Sequence, residues 1–434
     1  VTVKLPPGPR GLPLLGLLPQ LRSDVLGMSE EARDTADVVL WRVLGRRGWV
    51  ISHPDLLETV WVGHHRDLIK DRMTKELSRV LGDGLLTADG ASWRAHRKHA
   101  APAFTPRAVA GYAAAMSSVA ARHADSWAAG RFDALAQFSA VTRDIVLQTV
   151  FGDAGEGHAA IAAMDVFQVE FVRQVRSIRR LLPRWVPTRG RMRIDAAVRQ
   201  LDRDLAALVA ARRREGLGDE LLSRLMAARD DDGSPAFSDR ALRDEVATLY
   251  LAGHETTALW LAYAAWRLAM HPEAAEAVRD EARAVGDAPG LDDVPRLTYT
   301  AAFLDETLRL HPPAWGIGRE AIAPIPVGDY TIPTGDTVWA FPWALHRDPR
   351  WWPEPLAFRP ERFLGPPSWP RFAFLPFGGG PRVCIGQHFA RMEAVLCLAA
   401  IARRVRFRDP APLSYLASVT LRPVGGVPLT VDRA

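Results

Sequence analysis

The sequence predicts a mainly α-helical single unit with a small β portion, arranged around one long central helix. Three observations carry this. From about residue 91 to residue 271, Ala-rich stretches place apolar residues at three- and four-residue spacing. Strand-like runs are short and lie near the two ends of the chain. The longest periodic segment, 238–271, is apolar on all sides rather than along one stripe, as a helix crossing the middle of a protein must be. A length of 434 residues alone would suggest two or three domains. No repeat and no low-complexity linker divides the chain, so 1–434 reads as one unit.

In chain order, residues 1–20 hold Pro6-Pro7-Gly8-Pro9 and Pro19, which predicts a rigid, extended arm packed on the body. Its apolar run from Leu12 to Leu18 is cut by Pro13 and Gly16, far short of the roughly 20 residues a membrane helix needs. Alternating β-branched and aromatic residues predict strands at 38–44 and 49–52. Helices follow at 108–129, 135–151, 159–182 and 193–215, separated by short Gly, Pro and Asp breaks. The central helix starts after Ser238, a good N-cap, and stops at His271-Pro272. Further strands are expected at 325–332, 337–341 and 418–431. Between 347 and 370 the chain is rich in Pro, Trp and Phe without either periodicity, a meander that side-chain contacts must hold and that leads into a cysteine loop ending at 384.

Composition narrows the function. Lys and Arg total 55 against 50 Asp and Glu, a net +5 that is too small for this surface to argue for nucleic acid. Cys384 and Cys397 are the only cysteines, so a disulfide framework and a CxxC zinc site are excluded and a reducing cytoplasm is the default. The start at Val1 leaves open an anchor or signal before it.

The most specific signal is Phe377-Gly378-Gly379-Gly380-Pro381-Arg382-Val383-Cys384-Ile385-Gly386, a glycine-rich loop delivering one cysteine to the start of an apolar helix. A helix N-terminus and glycine-exposed N–H groups stabilise a thiolate, and Phe377 can shield the sulfur. One anionic sulfur suits haem iron. Cys397, among Leu396, Leu398 and Ala399, fits the ordinary alternative of a small buried hydrophobe. Glu306 and Arg309 share a helix face and predict a buried ion pair, with Arg362 as third member. Thr256 can bond the carbonyl of Ala252, and Gly253 makes a widened turn there cheap. His254-Glu255 lacks the second histidine of a zincin, because Ala258 stands in its place.

The cysteine loop matches the FxxGxRxCxG signature, and the chain resembles the cytochrome P450 superfamily, of a soluble bacterial type given its abundant alanine and arginine. Glu306-Thr307-Leu308-Arg309 is similar to the family's ExxR, Pro360-Glu361-Arg362-Phe363 to its PERF and Ala252-Gly253-His254-Glu255-Thr256-Thr257 to its oxygen-activating motif, in the family's order. Trp93 and Arg97 resemble its WxxxR helix, and Phe389 and Glu393 continue the pattern after the cysteine. The resemblance implies haem b with Cys384 as axial iron ligand, Phe377, Gly378, Ile385 and Gly386 around the sulfur, and Ala252 opposite. It implies Trp93, Arg97 and Arg382 at the haem propionates, with His96 and Arg319 as further candidates.

The resemblance also implies insertion of one oxygen atom from O2 into a C–H bond, with Glu255 and Thr256 as proton relay. Pocket walls are expected at Leu85, Leu86, Leu249, Ala252, Ala314, Trp315, Ile317 and Leu416, apolar residues suited to a lipophilic terpenoid, fatty-acyl or polyketide molecule of secondary metabolism. Electrons would come from NAD(P)H through a ferredoxin reductase and a ferredoxin, because the chain holds no flavin or iron–sulfur segment. The ferredoxin would dock on a basic face made by Arg94, Lys98, Arg382, Arg391 and Arg403. Two other readings stand beside this one: a peroxygenase or isomerase on the same haem, and a haem-binding sensor without turnover.

Overall fold

The computed structural model describes residues 4–152 and 188–434, with 166, 170 and 186 between them. The central helix spans Asp239–Met270; Ser238 Oγ accepts the Ala241 N–H at 3.2 Å, and Pro272 opens the next helix, Pro272–Val285. It packs against helix Ala134–Phe151, where Thr142 Oγ1 donates to His254 O at 3.0 Å. Trp260 Nε1 donates to Leu304 O on the next helix but one, Thr298–Leu310, at 2.8 Å, and Tyr263 OH to Leu421 O at 2.9 Å. The helix after the cysteine loop, Gln387–Ala402, is buried almost throughout from Met392 and packs on Ala113–Ser126. These helices form the largest core cluster.

Among the described residues the β portion is divided among four sheets. Its main sheet has five strands in the order Val38–Val43, Arg46–Ile51, Thr337–Ala340, Ile317–Ala321 and Leu68–Lys70. Only the second and third of these run parallel, with Gly48 opposite Thr337. A three-stranded sheet joins Gly130–Asp133, Pro428–Arg433 and Val405–Arg408, and two hairpins complete it.

Several expectations need correction. Residues 108–129 form two helices, Pro106–Ala110 and Ala113–Ser126. The arm ends at Leu17, because a helical segment, broken by a kink at Asp24 (φ −153°), runs over Leu18–Thr35 with Pro19 in its first turn, where a missing N–H costs nothing. The arm does pack on the body: Leu40 N–H donates to Pro7 O at 2.8 Å and Leu17 is buried. The 325–332 strand is a hairpin of Ile325–Val327 and Tyr330–Ile332, and 418–431 splits into Leu421–Pro423 and Pro428–Arg433 in different sheets. The predicted helix 159–182 lies outside the described residues, apart from Val166 and Glu170. The meander is held by aromatic contacts: Trp352, fully buried, packs on Trp369 at 4.4 Å between ring centroids and on Phe363 and Phe374.

Candidate active site

The Cys384 loop is shaped by its glycines. Gly378 and Gly380 adopt φ of +73° and +68°, and a Cβ on Gly380 would collide with Trp61 O. Cys384 N–H closes the loop onto Phe377 O at 3.0 Å. The thiol lies deep among protein atoms, yet its side chain is accessible. Burial raises its pKa, while the Gly386 N–H and the Arg97 charge pull the other way. Those two groups favour the thiolate, the form that binds iron. Phe377 lies edge-on to Trp260, and a Cβ on Gly386 would stand 4.0 Å from the sulfur. Cys397 is fully buried in the helix that follows and its thiol is pushed well above its usual range, so it offers no ligand.

The central helix presents one open stripe. From Leu242 to Trp266 every residue is buried except Leu249, Ala252, Gly253 and Thr256, which recur at the three- and four-residue spacing of one helix face. Thr256 Oγ1 donates to Ala252 O at 2.6 Å. The helix stays α-helical through this bond, so the expected widened turn is not formed; the hydroxyl is accommodated by back-bonding alone. Glu255 is buried off the stripe, its Oε1 accepting from Thr420 Oγ1 at 2.8 Å and pairing with Arg422 Nε at 2.9 Å. His254 is buried and neutral, its pKa lowered to about 4 by burial, with Nε2 3.2 Å from Ser139 O.

Cations crowd the other edge. Arg382 Nη1 donates to Ala88 O and Nη2 to Asp89 at 2.8 Å, with the guanidinium 4.3 Å over the Trp93 ring. Arg97 Nη1 donates to Val383 O at 3.0 Å. Arg319 is buried, its guanidinium bonded to Gly318 O, and sits directly across the sheet from Lys70, also buried. Two like charges at opposed positions of neighbouring strands repel. Burial and the neighbouring cations hold Lys70 well below its usual pKa and lower Arg319 to about 10. Asp89 and Asp71 compensate only part of this charge. Such a cluster fits a dicarboxylate, as the two propionates of haem would be. Lys70 escaped the sequence reading because nothing in its neighbourhood marks it as opposite Arg319, some 250 residues away. His96, a further propionate candidate, turns instead to Glu245 on the central helix, with Nδ1 2.7 Å from the buried carboxylate.

The Glu306–Arg309 pair is fully buried and bidentate, at 2.6 and 2.7 Å. Arg309 also donates to the carbonyls of His346, Pro355 and Ala357, and the Arg359 N–H to Glu306. Arg362 Nε lies 3.5 Å from Glu306, while its Nη2 donates to Pro353 O at 2.7 Å.

Of the pocket candidates, Ala252 is exposed and Leu86, Leu249, Ala314, Ile317 and Leu416 are half-buried. Leu85 and Trp315 are buried. Leu85 belongs to one apolar cluster with Leu81 and Phe104, and Trp315 stacks on Phe341 while donating to Ser418 O, so both are committed to the core. The docking face is also altered. Arg382 pairs with Asp89, Arg391 with Asp305, Arg403 with Asp287 and Lys98 with Asp231; of the five cations, Arg94 alone is exposed without an ion pair among the described residues.

An accessible cysteine at the head of a helix, an open helix stripe carrying one hydroxyl and a cluster of cations short of negative charge are the features a haem-thiolate site would need. A model of the cytochrome P450 family matches residues 6–416, and the chain belongs to that family. It is similar to cyclooctatin synthase of Streptomyces melanosporofaciens, 34% identical over 93% of this chain and 90% of the relative. It is also similar to cyclooctat-9-en-7-ol 5-monooxygenase of the same organism, at 31% over 93% and 89%, and to cytokinin hydroxylase of Arabidopsis thaliana, at 30% over 87% and 77%. The protein is therefore a monooxygenase using haem and O2, served by redox partners and acting on a lipophilic small molecule. Among the described residues no helix is long and apolar enough to cross a membrane.

Proposed function

We propose that this enzyme hydroxylates a terpenoid of secondary metabolism, taking electrons from NAD(P)H through a ferredoxin reductase and a ferredoxin in the cytoplasm. The observation that carries the substrate class is the open stripe of the central helix: Leu249, Ala252 and Gly253 offer hydrocarbon and small contacts, and Thr256 is its one hydroxyl. A wall of this kind binds by shape and desolvation. The names of two bacterial relatives, which concern cyclooctatin and cyclooctat-9-en-7-ol, favour a terpenoid over the fatty-acyl and polyketide alternatives.

When bound, a porphyrin iron with a thiolate ligand supplies the reductive activation of O2. Cys384 would hold the iron, and the Gly386 N–H and Arg97 favour its anionic sulfur. Trp93, Arg97, Arg382, Arg319 and Lys70 would take the propionates. Thr256, accessible on the stripe, would hold a proton for the reaction, and Glu255, seated beside Thr420 and Arg422, is the second member we propose for the relay. Arg94 is the free positive charge of the docking face, and the paired cations around it contribute shape more than potential.

The test begins with the carbon monoxide spectrum of the dithionite-reduced holoprotein, where Cys384 predicts a strongly red-shifted Soret band and Cys384→Ser its loss. Spin-state titration with cyclic diterpene alcohols and fatty acids follows; a response to fatty acids alone overturns the terpenoid reading. Thr256→Ala is expected to keep fold and haem but to divert most reducing equivalents to hydrogen peroxide, and unchanged coupling overturns the relay.

A further inference from the structure

The open stripe of the central helix has a closed end. Glu245 stands four residues before Leu249, so it lies on the helix face that Leu249, Ala252, Gly253 and Thr256 continue. Those four are accessible, whereas Glu245 has no exposed surface. Over it runs the loop 82–89, between the short helix Ser78–Leu81 and the tryptophan helix Gly90–Ala100. The loop lies directly on the central helix. Asp83 N–H donates to Asp244 Oδ2 at 2.9 Å, and a Cβ on Gly84 would stand 2.2 Å from Thr248 Oγ1 and 2.6 Å from Asp244 O. Leu86 and Leu249, both half-buried, pack against the same apolar cluster, so the loop brings a hydrocarbon wall to this end of the stripe.

A carboxylate buried at this position is costly unless it is answered, and an alkyl side chain would fill the space without that cost. Two groups answer it. His96 Nδ1, on the tryptophan helix, stands 2.7 Å from Glu245 Oε1, and the Leu85 N–H addresses the same carboxylate. Burial pushes the Glu245 carboxyl up, and both contacts pull against it. The neighbouring acids are answered by other groups: Asp244 by Arg240 and Arg243, and Asp83 by Ser92 Oγ. His96 is backed by the Phe237 ring, 5.6 Å away between centroids. One carboxylate thus ties together the central helix, the loop that carries Leu86 and the helix that carries Trp93 and Arg97.

We propose that Glu245 and His96 are positioning residues for substrate, given the reading of the stripe as the wall that substrate faces: they clamp the loop 82–89 onto the central helix, hold Leu86 at the closed end of the stripe, and so decide which shapes the site admits. Neither of them touches the substrate; they act through Leu86 and the loop.

Hydrogen exchange of the 82–89 amides and azole titration of the haem-loaded protein test this. The azoles are imidazole and 4-phenylimidazole, which both ligate haem iron and differ by a phenyl ring that must fit under the wall. Glu245→Gln keeps an acceptor for the Leu85 N–H and a donor for His96, so exchange and both azole affinities are expected to stay within about twofold of the parent. Glu245→Leu fills similar space without either bond. It is expected to keep the urea midpoint, because hydrocarbon in place of a buried charge is often neutral. Exchange at 82–89 should quicken at least about tenfold, and 4-phenylimidazole should bind about tenfold more weakly with imidazole unchanged. His96→Phe should follow the leucine variant in exchange and in azole preference. The clamp is overturned if Glu245→Leu or His96→Phe leaves exchange and azole preference as in the parent, or if Glu245→Gln behaves like Glu245→Leu. It is also overturned if the leucine variant loses stability and both azoles together, which marks a merely structural role. A parent without the red-shifted carbon monoxide band defeats the haem site instead, and exchange at 82–89, which needs no haem, still decides the clamp.

Discussion

Two groups of buried charges converge on the chain that carries Cys384, and they are built on opposite plans. In the first, Glu306 and Arg309 neutralise one another, and the remaining guanidinium N–H groups meet the carbonyl of His346 and two meander carbonyls, of Pro355 and Ala357. His346 links this network to the cysteine loop by accepting the Leu375 N–H at 2.8 Å. In the second, Lys70, Arg319 and Arg382 gather with less negative charge than they need. A saturated network fixes a shape, whereas an undersaturated one states what it binds. Exposure does not separate them, since both hold residues withdrawn from water; the difference lies in whether each charge has been answered.

The largest effect should come from breaking the saturated group. Glu306→Ala leaves Arg309 charged and unpaired at zero exposure, which costs about 3–5 kcal/mol, read as the urea midpoint. An unchanged midpoint would erase the distinction between the two groups.

Glu393, fully buried on the cysteine helix and facing Thr257, sharpens the comparison as an acid that escapes the problem by staying protonated. Burial raises its pKa to about 8. Between about pH 4.5 and 8 the folded chain keeps this proton while the unfolded chain has lost it, so stability falls as pH rises through that window, by an amount on the order of a few kcal/mol. Glu393→Gln should flatten this slope in urea titrations at pH 5 and pH 8; an identical slope in the variant counts against it.

Smaller, and opposite in sign for two readouts, is Arg319→Leu. Without haem it removes a repelling cation and should leave stability unchanged or raise it by about 1 kcal/mol. With haem it should hasten transfer of the group to apomyoglobin. A fall in both would show that the cations are structural. Smallest is Lys98→Ala, an exposed pair with Asp231, for which no measurable change in the midpoint is expected.

Much of this architecture is legible from local pattern. Ser238 and His271-Pro272 mark the central helix to within a residue because an all-round apolar run needs no partner to be recognised. The cysteine loop is legible for a different reason: its glycines answer a local steric demand. Helix Leu18–Thr35 is not, because Pro19 punctuates a chain and also begins a helix, and only packing decides between them. Strands Leu68–Lys70 and Ile317–Ala321 are too short for periodicity to show. With them went Lys70, whose role depends on a register between distant segments. Leu85 and Trp315, expected at a pocket wall, are buried, because which way a side chain faces is set by its neighbours.

Asp89 reads as the N-cap of helix Gly90–Ala100, yet its carboxylate makes no cap bond. It accepts the Lys70 N–H through both oxygens, at 3.0 and 3.1 Å, and grips Arg382 at 2.8 Å. One side chain thus ties an edge strand and the cysteine loop together at the start of the tryptophan helix. A consequence for loading follows if the cluster takes the propionates: its cations are positioned when the chain folds, so a dianion would meet a preorganised receptor and little ordering would be left for the moment of capture.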